Sequence, residues 1–239
     1  TIPMNTPTVT VLVLVQAGSK YETKNINGLS HFLEHMCFKG TQKRPTALYI
    51  TKELDSIGSK YNAFTSHEYT GYYAKAEKKH FNTVLDVVSD IYLNPIFDSD
   101  EVEKEKGVIV DEINMYEDMP NRHVHNLFDQ VLYGDQPAGW NVAGTKEIIR
   151  SLNREDFVAY RDKHYVASAT IVVVTGNINE RRAIKKIKEK FATISIGRKE
   201  GKLKVRESQK KPELFLKYKK TDQTHLVLGF RAVDAFSKW

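Results

Sequence analysis

A single cysteine, Cys37, in 239 residues excludes any internal disulfide and says little about redox compartment. No stretch approaches the roughly 18 uninterrupted apolar residues that a membrane helix needs. No basic segment followed by an apolar one marks a signal peptide. The chain therefore reads as a soluble protein with no membrane partner. It also lacks a start Met, since Thr1-Ile-Pro-Met-Asn-Thr-Pro7 leads straight into a strand pattern. That leaves room for an upstream segment carrying a targeting signal, and the location expected of the chain as it stands is cytoplasmic. No repeat of fixed period is present.

Acidic residues are the minority, 30 against 36 Lys and Arg, for a net charge of +6. The excess raises nucleic acid as a partner, because residues 198–211 together with Lys217, Lys219 and Lys220 form a basic stretch. That stretch lacks aromatics interleaved at a stacking spacing, and Gly197, Gly201 and Pro212 punctuate it. Residues 197–212 are read as a solvated surface connection, and no nucleic acid is expected. With 41% hydrophobic residues the chain can bury a substantial core, as one large domain or two small ones.

What is present is concentrated in five residues, His31-Phe-Leu-Glu-His35. On a helix, positions i, i+3 and i+4 share a face, so both imidazoles and the Glu34 carboxylate point into one small volume. Two neutral imidazoles are good ligands for Zn²⁺. A third protein ligand then leaves one position for a water, which the metal acidifies and Glu34 deprotonates. The order is inverted relative to H-E-x-x-H, the signature of inverzincins. Phe32, Leu33, Met36 and Phe38 predict a hydrophobic surround for the polar trio. Cys37, two residues past His35, points to another face and is assigned to packing.

The third ligand is expected from residues 101–117. There Val102, Val108, Ile109, Ile113 and Met115 recur at helical spacing, and Glu105 and Glu112 stand seven residues apart on one face. Glu112 is assigned as the ligand and Glu105 as the partner that orients or polarises the site. Asp111, adjacent to Glu112, competes for the ligand role on the residues alone. His123 and His125 form an H-x-H on a predicted helix, where they diverge, and are read as non-ligands.

Around these motifs the pattern predicts a strand over 8–16, a helix from the Asn27-Gly-Leu-Ser30 turn to near Gly40, and a helix from Pro45 to Ile57. Strands follow at 61–66 and 69–76, then helices at 78–93, along the acidic segment, and at 122–132. A Gly/Pro loop spans 134–144, and Asn153 caps a helix through Lys163. A buried strand at 170–174, a helix at 180–191 and strands at 214–218 and 225–230 complete the reading. Strands and helices alternate irregularly, which predicts an α+β fold with a mixed, mostly antiparallel sheet and helices packed mainly on one face.

The run His31-Phe-Leu-Glu-His-Met-Cys-Phe-Lys-Gly-Thr41 closely resembles the pitrilysin/insulinase family of zinc endopeptidases, above all the branch of the processing peptidases. Tyr61-Asn-Ala-Phe-Thr-Ser-His-Glu-Tyr-Thr-Gly-Tyr-Tyr73 is similar to that family's N-A-x-T strand pair, and Thr170-Ile-Val-Val-Val-Thr-Gly-Asn177 to its later core strand and turn. Glu105 and Glu112 fall where the family has its pair of glutamates. Glu112 follows His35 by 77 positions, which favours it over Asp111. The resemblance implies one zinc-bearing peptidase domain over residues 1–239, with the homologous C-terminal domain absent.

It further implies hydrolysis of extended or unfolded peptides, with His31, His35 and Glu112 on Zn²⁺ and Glu34 as general base on a zinc-bound water. The substrate is expected to add to Asn62-Ala63-Phe64-Thr65 through backbone pairing, if this is an edge strand rather than an ordinary hairpin strand. Relatives carry two homologous domains closing around a chamber, so the partners expected are a peptide and a second domain or partner subunit, as a dimer. The competing expectation is a non-catalytic, zinc-bearing scaffold or binding subunit of a heteromeric peptidase, although relatives in that role usually lose the metal motif.

Overall fold

Every second residue from Val9 to Val15 is buried, while Thr8, Thr10, Leu12 and Leu14 between them are only half-buried. Period-two burial of β-branched residues is what a strand needs to turn one face to a core. The computed structural model describes residues 1–220, 222–233 and 236–238.

In chain order its strands are β1 (Ile2–Pro3), β2 (Thr8–Val15), β3 (Lys60–Thr65), β4 (Thr70–Glu77) and β5 (Thr170–Gly176). They form one sheet in the order β1-β5-β2-β4-β3, antiparallel except for the β1/β5 pair. Register runs from Thr8↔Glu77 to Val15↔Thr70 on one side of β2, and from Val9↔Gly176 to Val15↔Thr170 on the other. β3 is an edge strand.

The helices are α1 (Leu29–Cys37), α2 (Ala47–Asp55), α3 (Phe81–Leu93), α4 (Ser99–Asp118), α5 (Pro120–Tyr133), α6 (Lys146–Ser151), α7 (Arg154–His164) and α8 (Glu180–Lys190). α3 packs on β2 and β4, and α1 lies against β3, β4 and α4. The core joins the valine face of β2 to Tyr72 and Ala74 of β4, to Val84, Val88 and Ile91 of α3, and to the buried stripe of α1.

That stripe is Leu29, Phe32, Leu33 and Met36, all at 0% exposure. The spacing i, i+3, i+4, i+7 fixes the helix by its back. Each such side chain contributes about 1.5–3 kcal/mol on burial. Phe32 meets the Phe157 ring edge-on at 4.7 Å. Phe32, Leu33 and Met36 thus anchor the face opposite the polar trio rather than surrounding it, and Phe38 is partly buried at the C-cap. Cys37 is buried in the core with its Sγ 3.5 Å from the Tyr72 hydroxyl, and burial pushes its thiol up to about 12.

Several expectations are corrected. Residues 214–218 and 225–230 form no strand, and Tyr218 and Phe230 are 91% and 83% exposed. A strand requires a neighbour to pair with, and neither sheet edge takes up these segments. Along α4 only Val102, Ile109 and Ile113 of the expected apolar set are buried. Val108 and Met115 lie on the exposed side, and Glu105 shares the buried stripe with Val102, Ile109 and Ile113. Residues 197–212 carry no helix or strand.

Candidate metal centre and edge strand

α1 starts at a backbone position that its own turn does not cap. Gly28 sits at φ 99°, with no side-chain bond from the N-cap itself. The cap comes from the buried Glu22, whose carboxylate accepts from the amides of Gly28 (2.8 Å) and Ser30 (2.6 Å) and from Asn27 Nδ2 (3.0 Å). A carboxylate at a helix N-terminus satisfies orphan N–H groups and complements the macrodipole. Burial nonetheless raises the Glu22 pKa, against the pull of those donors. Sequence reasoning missed Glu22, because nothing local separates it from a surface acid.

With its back anchored and its start capped, α1 turns His31, Glu34 and His35 to the other side. The two imidazole rings lie 4.7 Å apart. α4 crosses this face and brings Glu112 Oε2 to 3.6 Å from His31 Nε2 and 3.5 Å from His35 Nε2. One donor atom from each of the three residues lies within 4.8 Å of the others. Asp111, the competing carboxylate, is exposed.

Zinc–nitrogen bonds of about 2.0–2.1 Å in a tetrahedron set donor atoms roughly 3.3–3.4 Å apart. The observed separations and the His/His/carboxylate donor set therefore fit a Zn²⁺ ion.

Electrostatics suits the same group. Burial, and then the charge of His35, lowers the His31 pKa to about 3, which leaves a neutral imidazole with its lone pair free. Its Nδ1 is buried without a partner among the described residues, so the ring's interactions fall on the Nε2 side. Burial also pulls His35 down, but the Glu105 carboxylate, 2.9 Å from Nδ1, more than reverses it, with Glu112 and Glu34 adding, and the net shift is upward. Glu105 is buried and also pairs with Lys39. Burial opposes its ionised form, and the bonds to His35 and Lys39 overcome that, so its pKa falls. A carboxylate on the far nitrogen fixes ring orientation and tautomer in metal sites.

Glu34 points to the strand side, where Thr65 Oγ1 donates to its Oε2 at 2.5 Å. Burial raises its pKa, with Thr65 and His35 pulling it down and Glu112 raising it. Asn62, Ala63, Phe64 and Thr65 lie on β3, with Ala63 and Thr65 on the α1 side and Asn62 and Phe64 on the outer side. His123 and His125 lie on α5, apart from this cluster, and His123 Nε2 meets Lys217 Nζ at 2.8 Å.

This inverted motif on a one-sided α+β layer has counterparts among known proteins. Residues 3–146 match the family described as Insulinase (Peptidase family M16), and residues 151–238 match the Peptidase M16 inactive domain. The chain belongs to the insulinase family of peptidases, M16.

It is 40% identical over 233 residues to an uncharacterised zinc protease of Bacillus subtilis, covering 96% of this chain and 56% of that protein. It is 34% identical over 184 residues to the mitochondrial-processing peptidase subunit beta of Dictyostelium discoideum, covering 77% and 39% respectively. The chain thus spans about half or less of these relatives. A protease from Helicobacter pylori shares the fold at a TM-score of 0.78 and 23% identity, over 86% of this chain and 50% of that one. Among the described residues no helix is long and apolar enough to cross a membrane.

Proposed function

We propose that residues 1–239 form one zinc-bearing peptidase domain that hydrolyses peptide bonds in extended or unfolded polypeptides. The observation that carries the reading is the convergence of His31, His35 and Glu112 within 4.8 Å, beside Glu34 on the same helix. These three residues would hold Zn²⁺. When bound, the metal supplies a Lewis acid that polarises the scissile carbonyl and lowers the pKa of water.

Glu34 takes the proton of the attacking water and returns it to the leaving amine. Its raised pKa brings it closer to working pH, which suits a group that must both accept and give a proton. Glu105 holds the His35 ring through Nδ1. β3 supplies an unpaired edge to which an extended peptide adds through backbone hydrogen bonds, giving affinity with little side-chain selectivity.

A homologous second domain or partner subunit closes a chamber over this face, as a dimer of homologous halves. The coverage of about half or less of the relatives supports this part of the reading.

The test combines metal analysis with chelator-sensitive cleavage of an unfolded peptide library. Glu34→Gln is expected to keep stoichiometric zinc and lose turnover. Loss of zinc in that variant would overturn the role given to Glu34. Full zinc in the natural protein with no cleavage would assign it to a non-catalytic, zinc-bearing scaffold instead.

A further inference from the structure

The β3 edge and the Glu34 carboxylate meet in one residue. Ser66 N donates to Tyr69 O at 2.9 Å, which makes Ser66/Tyr69 a hydrogen-bonded pair at the head of the hairpin. Antiparallel pairs alternate, so Thr65/Thr70, Ala63/Tyr72 and Tyr61/Ala74 are the non-hydrogen-bonded pairs. The N–H and C=O of Tyr61, Ala63 and Thr65 therefore face the open edge, where a peptide would pair. Ala63 N–H accordingly donates to no ladder partner and instead meets the Oδ1 of Asn62 at 2.9 Å.

Thr65 presents its backbone to that edge and its side chain to the base. Its hydroxyl has one proton, and at 2.5 Å that proton goes to Glu34 Oε2. The neighbouring Thr70 hydroxyl, 3.4 Å away, donates to Ala17 O at 3.0 Å and has no proton left for either group. Among the described residues Thr65 is the hydrogen-bond donor to Glu34.

Resting on the hydrolytic reading above, we infer that Thr65 is a positioning residue whose hydroxyl aims the Glu34 carboxylate, and that a peptide pairing with the Thr65 backbone steadies that hydroxyl. Substrate docking and alignment of the base are then one event on one residue. A peptide that fails to reach the Thr65 position binds without setting Glu34.

The test uses the full natural chain with Thr65→Val, which keeps the β-branch and removes the hydroxyl, and Thr65→Ser, which keeps the hydroxyl. In zinc-loaded protein, T65V is expected to lose kcat on the order of 100-fold, as a misplaced catalytic group does. KM should stay within about 2-fold, because backbone pairing survives. Zinc content stays full, and T65S recovers most of the rate.

A second readout does not depend on turnover. In metal-free protein, the ¹³C signal of the Glu34 carboxylate, assigned by its loss in Glu34→Gln, should move when an unfolded peptide is added to the natural protein, and not in T65V. Wild-type kcat in T65V, a T65S as impaired as T65V, or a Glu34 signal that ignores peptide in the natural protein would each overturn the inference. If no form cleaves peptide, the hydrolytic reading fails, and the carboxylate signal still decides the coupling. If T65V does not fold, the response of the natural protein to peptide decides it alone.

Discussion

Glu105 Oε1 lies 2.9 Å from Nδ1 of His35, on the side of the ring away from Glu112. A ring held at one nitrogen can present the other in only one direction, so this bond decides where the His35 lone pair points. Glu105→Ala is expected to weaken zinc binding about 10- to 100-fold while leaving the fold in place. Competition against a chelator of known affinity reads the change directly. An unaltered zinc affinity would remove Glu105 from the site.

The open edge of β3 makes its own prediction. Ala63 carries an N–H that no strand among the described residues claims, and Ala63→Pro deletes that donor at an edge position where proline is tolerated. KM for an unfolded peptide should rise roughly 10-fold or more, since a lost backbone bond leaves a peptide carbonyl unpaired. Steady-state kinetics on peptides of increasing length would reveal it. An unchanged KM argues that peptides bind elsewhere.

Glu22 stabilises the start of the metal-bearing helix. Its carboxylate satisfies two backbone amides and the Asn27 side chain in a buried setting. Glu22→Ala orphans all three donors and should cost about 2 kcal/mol or more. In a chain of this size that lowers Tm by roughly 4–8 °C. Calorimetry with and without zinc checks it, and an unmoved Tm would mean that water replaces the carboxylate at no cost.

Arg44 is buried among Glu53, Asp86 and Asp90, with its nitrogens 2.7–2.9 Å from their oxygens. Arg44→Met leaves these carboxylates without their shared cation and should destabilise the fold by roughly 3–5 kcal/mol near neutral pH. Burial opposes the ionised form of Asp86, but Arg44, Lys190 and Lys43 overcome it and hold its pKa well below the usual range. A depressed folded pKa stabilises at pH above the unfolded aspartate value of about 3.9, and that contribution fades as pH falls toward the folded value. The natural protein should therefore lose stability steeply below about pH 4, and the variant less steeply. Urea midpoints measured from neutral to acid pH test this, and parallel acid limbs would count against the cluster.

The zinc motif was legible because its geometry is local. His31, Glu34 and His35 share a face on any α-helix, and Leu29, Phe32, Leu33 and Met36 mark the opposite face with equal clarity. The valine alternation of β2 and the Asn153 cap of α7 were readable for the same reason. The strands expected at 214–218 and 225–230 show the limit: apolar and aromatic composition is local, whereas the partner that makes a strand is not. Val108 and Met115 fit a helical period but sit off the buried stripe of α4, because only the neighbours decide which arc of a helix is inside.

Local pattern alone specifies a helix that carries two imidazoles and a carboxylate on one face, and a pair of glutamates two turns apart elsewhere. Both follow from the fixed pitch of an α-helix. Long-range packing sets the height at which α4 crosses α1, where Glu112 meets both Nε2 atoms and Glu105 meets Nδ1. It alone set β3 at the sheet edge with Thr65 against Glu34. Those contacts join residues 31 to 81 positions apart, and no local rule specifies such distances until the core has packed.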